Sequence, residues 1–214
     1  MKMRKFLGVM ITAIFLALLF VTTATAANAQ TPLPPLDSEA NLDTQLYLIV
    51  ATNQDVDDSK LPTALDSVIR QLRASLPFKN YRLAATLVNR VKNEGRLDLR
   101  WIGGPFAAPA GAATAVNPSF SEFKVGSVKL VRNAEGHPMV QMIRFSFGAR
   151  IPIQTGTQAS ASGSGGFPIV NYENTGLNTD ISLREGEPVV VGTLNAGPSG
   201  DAIILVVSAK RTQR

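Results

Sequence analysis

DISLREGEPVVVGTLNAGPSGDAIILVVSAKR, residues 180–211, is the stretch whose reading decides the fold. Two apolar runs, 187–194 and 201–209, flank a Gly/Pro/Ser turn. A strand alternating at Leu177, Thr179, Ile181 and Leu183 leads into them. The run Ile203-Ile204-Leu205-Val206-Val207 has no polar face to offer water, so it needs cover on both sides or a central place in a sheet. The rest of the chain must supply that cover.

Immediately upstream, residues 120–131 and 139–151 read as strands joined through Arg132-Asn133-Ala134-Glu135-Gly136. Ile143, Phe145 and Phe147 are expected to share one face, with Arg144 and Ser146 on the other. Residues 154–166 (QTGTQASASGSGG) have the composition of a mobile Gly/Ser-rich tip, and 167–173 form a further strand. Residues 103–119 (GGPFAAPAGAATAVNPS) show no periodicity and almost no charge, which marks a flexible spacer.

Further back, residues 45–102 read as a β-α-β-β unit. Leu46, Leu48 and Val50 alternate with Tyr47, Ile49 and Ala51 in a strand with two apolar faces. Leu61, Leu65, Val68, Ile69, Leu72 and Leu76 recur at helical spacing. Ser59 or Asp58 serves as its cap, Pro62 is tolerated in the first turn and Pro77 closes it. Tyr81, Leu83, Ala85, Leu87 and Val91 on one arm, and Leu97, Leu99 and Trp101 on the other, then predict a hairpin turning at Lys92-Asn93-Glu94-Gly95, its apolar face taking the helix. About nine strands and one amphipathic helix give the fold class: α+β, mostly antiparallel β-sheet or sandwich.

The N-terminus has Lys2, Arg4 and Lys5, an apolar run of about 16 residues and Ala27-Asn28-Ala29, the parts of a secretory signal peptide. Residues 1–29 are therefore excluded from the fold, with cleavage after Ala29 or Ala26. An uncleaved N-terminal anchor is the alternative, although the run is short for the roughly 20 residues of a spanning helix. Residues 30–44 form a Pro-rich linker, so the expected organisation is signal peptide, linker, 45–102, spacer 103–119, and an antiparallel unit 120–214. The chain has no Cys, so an exported domain of this kind holds together by burial and not by disulfides. It is expected in a periplasm or outside the cell.

The formal net charge of +5 includes Lys2, Arg4 and Lys5; beyond them 18 basic residues face 16 acidic ones, which is no nucleic-acid footprint. Acidic residues concentrate before Ser67 and basic ones between Arg70 and Arg100. Solvated faces account for such runs. The sharper reading is an interaction surface of Arg82, Arg90, Arg96 and Arg100 on the hairpin's polar face, meeting an acidic partner, a lipid headgroup or a polyanionic envelope polymer.

Sites for chemistry are sparse. Without Cys there is no thiol nucleophile or thiolate metal site. His137, the one histidine, sits between Gly136 and Pro138 in a turn with no ligand spacing around it. Asp55, Asp57, Ser59 and Asp66 mimic positions 1, 3, 5 and 12 of a calcium loop. Lys60 stands where that loop needs Gly, so a turn and helix start explain these carboxylates better. Gly163-Ser164-Gly165-Gly166 lacks the Lys and helix of a phosphate loop, and Gly197-Pro198-Ser199-Gly200 does not match a nucleophile elbow. Glu173, Asp180, Glu185 and Glu187 would make a glycosidase-like pair only in a cleft. Trp101 and Tyr172 are able to stack a sugar but suit core or edge roles. No catalytic, cofactor-binding or metal-ligating residue is assigned.

Residues 179–209 resemble the closing segment of bacterial outer-membrane secretins of the type II and type III secretion and type IV pilus systems. There an alternating strand enters an Asp/Glu-Gly-x-x-Val-Val-x-Gly turn and strand, and a later apolar strand completes the sheet. The matching residues are Leu183, Glu185, Gly186, Val189, Val190, Gly192 and Leu194, followed by Ile203 to Val207. The family's paired glycine is Gly192-Thr193 here, and its Pro-Arg after the last strand is missing. The resemblance implies a secretin-related envelope component, with the β-α-β-β unit as a docking module, and not a pore.

The expected function is thus an exported, non-enzymatic envelope protein acting in binding or assembly, with envelope or secretion-system proteins or further copies of itself as partners. A periplasmic small-ligand or polysaccharide binder is the alternative, and an acid-residue hydrolase a third. Nucleic acid is not an expected partner, and any membrane contact would be peripheral.

Overall fold

The computed structural model describes residues 39–55, 61–103, 118–158, 167–195 and 200–212. The signal-peptide and linker readings up to residue 38 lie outside this set, as do the Ser59 and Asp58 caps and most of the spacer.

Eight strands, a 3₁₀ turn and one α-helix follow in order: β1 (Asn41–Thr52), the 3₁₀ turn (Thr63–Leu65), α1 (Asp66–Ser75), β2 (Asn80–Lys92), β3 (Leu97–Ile102), β4 (Phe120–Arg132), β5 (Pro138–Gln158), β6 (Phe167–Arg184), β7 (Val189–Asn195) and β8 (Ala202–Arg211). They form two four-stranded antiparallel sheets, ordered β2-β1-β8-β7 and β3-β4-β5-β6. Among the described residues the chain is therefore mostly β with a single short helix, and their helical share is smaller than an α+β class implies.

The final apolar run obtains both kinds of cover at once. β8 lies between β1 and β7, and Ile203, Ile204, Leu205, Val206 and Val207 are all fully buried. Ile203, Leu205 and Val207 join Leu46, Leu48 and Val50 of β1 and Phe123, Phe145 and Phe147 of the other sheet in one core between the sheets. Ile204 and Val206 join Tyr47, Ile49 and Tyr81 under Leu65, Val68, Ile69 and Leu72 of the helical segment. Three layers result: helix, sheet, sheet.

The helical periodicity survives as a short element of ten residues preceded by the 3₁₀ turn. Leu76 is extended (φ −118°, ψ 145°) ahead of Pro77, which disfavours helix at the residue before it. The Leu72 carbonyl at the helix end accepts from the Leu76 N–H at 2.8 Å and, as a second donor, from Tyr81 Oη at 3.2 Å. Among the described residues no side chain caps the start.

Four expectations are corrected. The 81–101 hairpin does not form: β2 pairs with β1, and β3 pairs with β4 in the other sheet. The Lys92–Gly95 turn is instead a corner between sheets. Asn93 N donates to the Ala40 carbonyl at 2.9 Å, Glu94 N to the Val128 carbonyl at 2.8 Å, and the Asn93 amide oxygen accepts from Leu130 N at 2.8 Å. Of the presumed hairpin face, Tyr81 and Leu83 meet the helix, while Leu87, Val91, Leu97, Leu99 and Trp101 go to the core between the sheets. Period-two alternation fixes which face is apolar, not which strand is the neighbour.

Secondly, Ile143 does not share the face of Phe145 and Phe147. Met142 and Val140 are buried with them instead, because β5 carries a bulge at residues 143 and 144 that inverts the alternation. Arg144 adopts φ 54°, its N–H donates to Asp180 Oδ1 at 2.5 Å, and its guanidinium lies where a Cβ on Gly126 would stand, 2.5 Å from Nε. Thirdly, the Gly/Ser loop of 154–166 begins later, since β5 continues to Gln158. Residues 159–166 lie outside the described set. Finally, 167–173 and the strand from Leu177 are one strand, β6, so the nine expected strands become eight among the described residues.

Candidate functional site

The outstanding surface feature is the far end of β5 and β6. Pairing of β5 with β4 ends at Phe120↔Arg150, yet β5 and β6 stay paired from Ile151↔Glu173 to Gln158↔Phe167. The overrun is roughly 26 Å for eight residues at about 3.3 Å each. No described strand pairs with residues 151–158 on the side away from β6. Residues 151–172 contain no Asp, Glu, Lys, Arg or His. Along this arm Thr155 Oγ1 donates to the Ile169 carbonyl at 3.4 Å and Asn171 Nδ2 donates to Thr155 Oγ1 at 3.3 Å, while the Ile169 side chain is 46% exposed.

At the base of the arm is a cavity of about 470 Å³. Register sets its walls. Arg100, Glu122 and Gly148 lie in one row across β3, β4 and β5, and Ile102, Phe120, Arg150 and Asn174 in the next row but one, so all seven share one face of the sheet. Trp101, Ser121, Ala149 and Thr175 form the row between these two, with their side chains on the opposite face toward the core between the sheets. Arg150 stands 5.5 Å over the Tyr172 ring, Phe120 packs against that ring at 6.0 Å, and Tyr172 Oη donates to the Pro118 carbonyl at 3.1 Å. Trp101 meets Phe147 at 6.2 Å. Ser119 and Ser121 are buried, and among the described residues their hydroxyls have no hydrogen-bond partner.

The charges here are unevenly satisfied. Lys124 Nζ donates to Glu122 Oε2 at 2.7 Å and holds that carboxyl below the ordinary carboxylate range. Arg100 lies at 3.7 Å from Asp98 and 3.8 Å from Glu122, both long contacts of an exposed side chain. Among the described residues no carboxylate is within ion-pair distance of Arg150.

The four arginines read from the sequence are not brought together. Arg82 and Arg90 are on β2, Arg100 is on β3 in the other sheet, and Arg96 lies in the corner between them. A bulge on β2 puts even these two on opposite faces: Arg82 opposes Val50, which faces the core between the sheets, and Arg90 opposes Asp43 on the helix side. Arg90 Nε donates to Asp43 Oδ1 at 2.7 Å, and that bond, the largest influence on the carboxyl, depresses its pKa.

The acidic residues form no cleft pair. Glu173 and Asp180 are exposed and lie seven residues apart on β6, roughly 23 Å along the strand. Glu185 is clamped to Arg211 Nε at 2.9 and 3.0 Å and accepts from the Arg211 N–H at 2.9 Å. Burial raises its pKa, but the Arg211 bonds together outweigh this and hold it below the ordinary value. Glu187 is exposed. His137 is exposed in the β4–β5 turn, where its N–H donates to Asn133 Oδ1 at 2.8 Å. Among the described residues no cluster of His, Asp or Glu is arranged to hold a metal ion. The calcium-like set falls partly outside them, as does 163–166.

Sequence reasoning missed Arg150, Phe120, Ser121 and Asn174. The available signal was Gly148 and Gly176, glycines inside strand patterns, which mark close approach. They pair across β5 and β6, and a Cβ on Gly176 would stand 2.4 Å from the Phe147 carbonyl oxygen.

No protein-family model and no curated protein matches the chain. Among solved structures it is similar to the secretin-domain β-barrel of InvG from the Salmonella SPI-1 injectisome, at 11% identity and a TM-score of 0.31, covering 82% of this chain and 64% of that one. It is also similar to a chain of the Klebsiella pneumoniae type II secretion outer-membrane complex of PulD, PulS and the PulC HR domain, at 12% identity and a TM-score of 0.33, covering 82% and 39%. A third is in the SPI-1 basal body of InvG, PrgH and PrgK, at 11% and 0.31, covering 82% and 46%. The chain thus spans less than two thirds of the length of these solved chains.

Proposed function

We propose that this is an exported, non-enzymatic envelope protein that works by strand-mediated assembly, as a secretin-related structural component, with copies of itself or with envelope or secretion-system proteins. The observation that carries the reading is the β5–β6 arm. A two-stranded ribbon in water is marginally stable, and three or more strands or a packed face are needed to hold one. Natural edges discourage pairing with charge, and residues 151–172 have none. Such an arm is suited to accept a strand from a neighbour, the main-chain bonds supplying affinity. The periplasmic or envelope location rests on the N-terminal signal pattern.

The experiment is light scattering on residues 30–214 and on a variant in which 153–169 is replaced by a two-residue Asn-Gly turn, with circular dichroism establishing that both fold. The full arm gives a mass above the monomer, or a stable complex with an envelope extract, and the trimmed arm gives neither. Equal monomeric masses with no retained partner in either case would overturn the proposal.

A further inference from the structure

We propose that the cavity at the base of the arm is a binding site for a small soluble anion carried on a flat apolar body, an aromatic or amphiphilic carboxylate or sulfonate. This stands on observations separate from the assembly reading. The volume, about 470 Å³, falls within the range of small-molecule sites, which are mostly apolar with a few convergent polar groups. The apolar side on the face of the arginines consists of Phe120 and Ile102, both left to solvent: Ile102 is 69% and Phe120 41% exposed.

The polar side is cationic. Arg100 and Arg150 share the face, and Glu122, the acid between them, is engaged by Lys124 at 2.7 Å. Arg150 has no carboxylate partner among the described residues, so its guanidinium, steadied over the Tyr172 ring, keeps its donors for an anion. A neutral or cationic ligand would leave that charge unanswered.

Gly148 explains why there is room. It stands in the row of Arg100 and Glu122, and a Cβ there would come within 3.3 Å of Glu122 Cγ, so any side chain would intrude on the space between the walls.

Trp101 is the chain's one tryptophan; its indole packs on the other face of the same strand, beside Phe147, close enough for energy transfer to a naphthalene bound in the cavity to quench it. The probes are 1-anilinonaphthalene-8-sulfonate and the uncharged N-phenyl-1-naphthylamine, titrated into residues 30–214 and into Arg100→Gln, Arg150→Gln and, as a remote charge control, Arg184→Gln, each checked for fold by circular dichroism. The sulfonate is expected to quench Trp101 saturably. Its Kd should rise about 10-fold in Arg100→Gln and in Arg150→Gln, the scale of one charge-assisted hydrogen bond, and stay within twofold in Arg184→Gln. The neutral probe should show less than a twofold change in all three. Unchanged Trp101 emission, equal sulfonate affinity in all four proteins, or binding of phosphatidylglycerol vesicles with none of the soluble sulfonate would each overturn the assignment.

Discussion

If β8 is covered on both faces, truncating two consecutive residues must hurt equally. Ile204 and Leu205 are each fully buried, the first in the cluster under the helix and the second in the core between the sheets. In a half-exposed strand one of two neighbours faces water, and its change to Ala lies within about 0.5 kcal/mol. Here Ile204→Ala and Leu205→Ala should each cost about 3 kcal/mol, within the usual 2–5 for such deletions. With a urea m-value of about 2 kcal/mol/M, each midpoint falls by about 1.5 M, and Tm by about 6–12 °C. Leu72→Ala, on the helix, adds a thermodynamic cycle. Leu72 shares its cluster with Ile204 but not with Leu205. Coupling of at least about 0.5 kcal/mol is expected for Leu72 with Ile204, and additivity for Leu72 with Leu205. Urea titrations followed by far-ultraviolet circular dichroism measure all six proteins. A single variant costing less than 0.5 kcal/mol, or coupling on the Leu205 side alone, would refute two-sided cover.

The Glu185 clamp predicts a pH signature. Its carboxyl is held below the ordinary value in the folded chain, so its stabilisation is present above the unfolded carboxylate pKa and is lost as pH falls through the folded one. Glu185→Gln should therefore lower the urea midpoint at pH 7 and lose most of that deficit by pH 3; a deficit that persists unchanged would contradict the ion pair with Arg211. Gly176→Ala places a Cβ 2.4 Å from the Phe147 carbonyl oxygen and should cost about 1–3 kcal/mol, whereas Gly156→Ala, 3.7 Å from Ile169 Cδ1, should stay within about 0.5 kcal/mol by the same titration. Asn93→Ala removes the acceptor for the Leu130 N–H at the sheet-to-sheet corner and should cost about 1–3 kcal/mol in thermal melts, with no change in assembly.

Much of the architecture was legible because burial leaves a mark on composition. The unbroken apolar run of β8 announces a strand without a wet face, and the six helical-period leucines, valine and isoleucine around α1 all enter its cluster. What sequence could not give is partner choice and bulges. Residues 81–101 alternate cleanly, yet the corner at Asn93 and Glu94 sends the two arms to different sheets, a decision made by bonds to Ala40, Val128 and Leu130 that lie far along the chain. The inversion at Arg144 needs Asp180, 36 residues on, to hold the backbone. The candidate site was less legible still. The four arginines looked like one face only under the hairpin pairing. The cavity depends on the alignment of β3 through β6, which brings Arg100 of β3 together with Gly148 and Arg150 of β5.

Hydrogen exchange of the arm tests the central proposal most directly. Backbone amides of residues 151–158 and 167–173 should gain protection as protein or envelope-partner concentration rises, while those of β8 stay protected throughout. Fast arm exchange that is independent of concentration and of any partner would contradict an arm built to receive a strand.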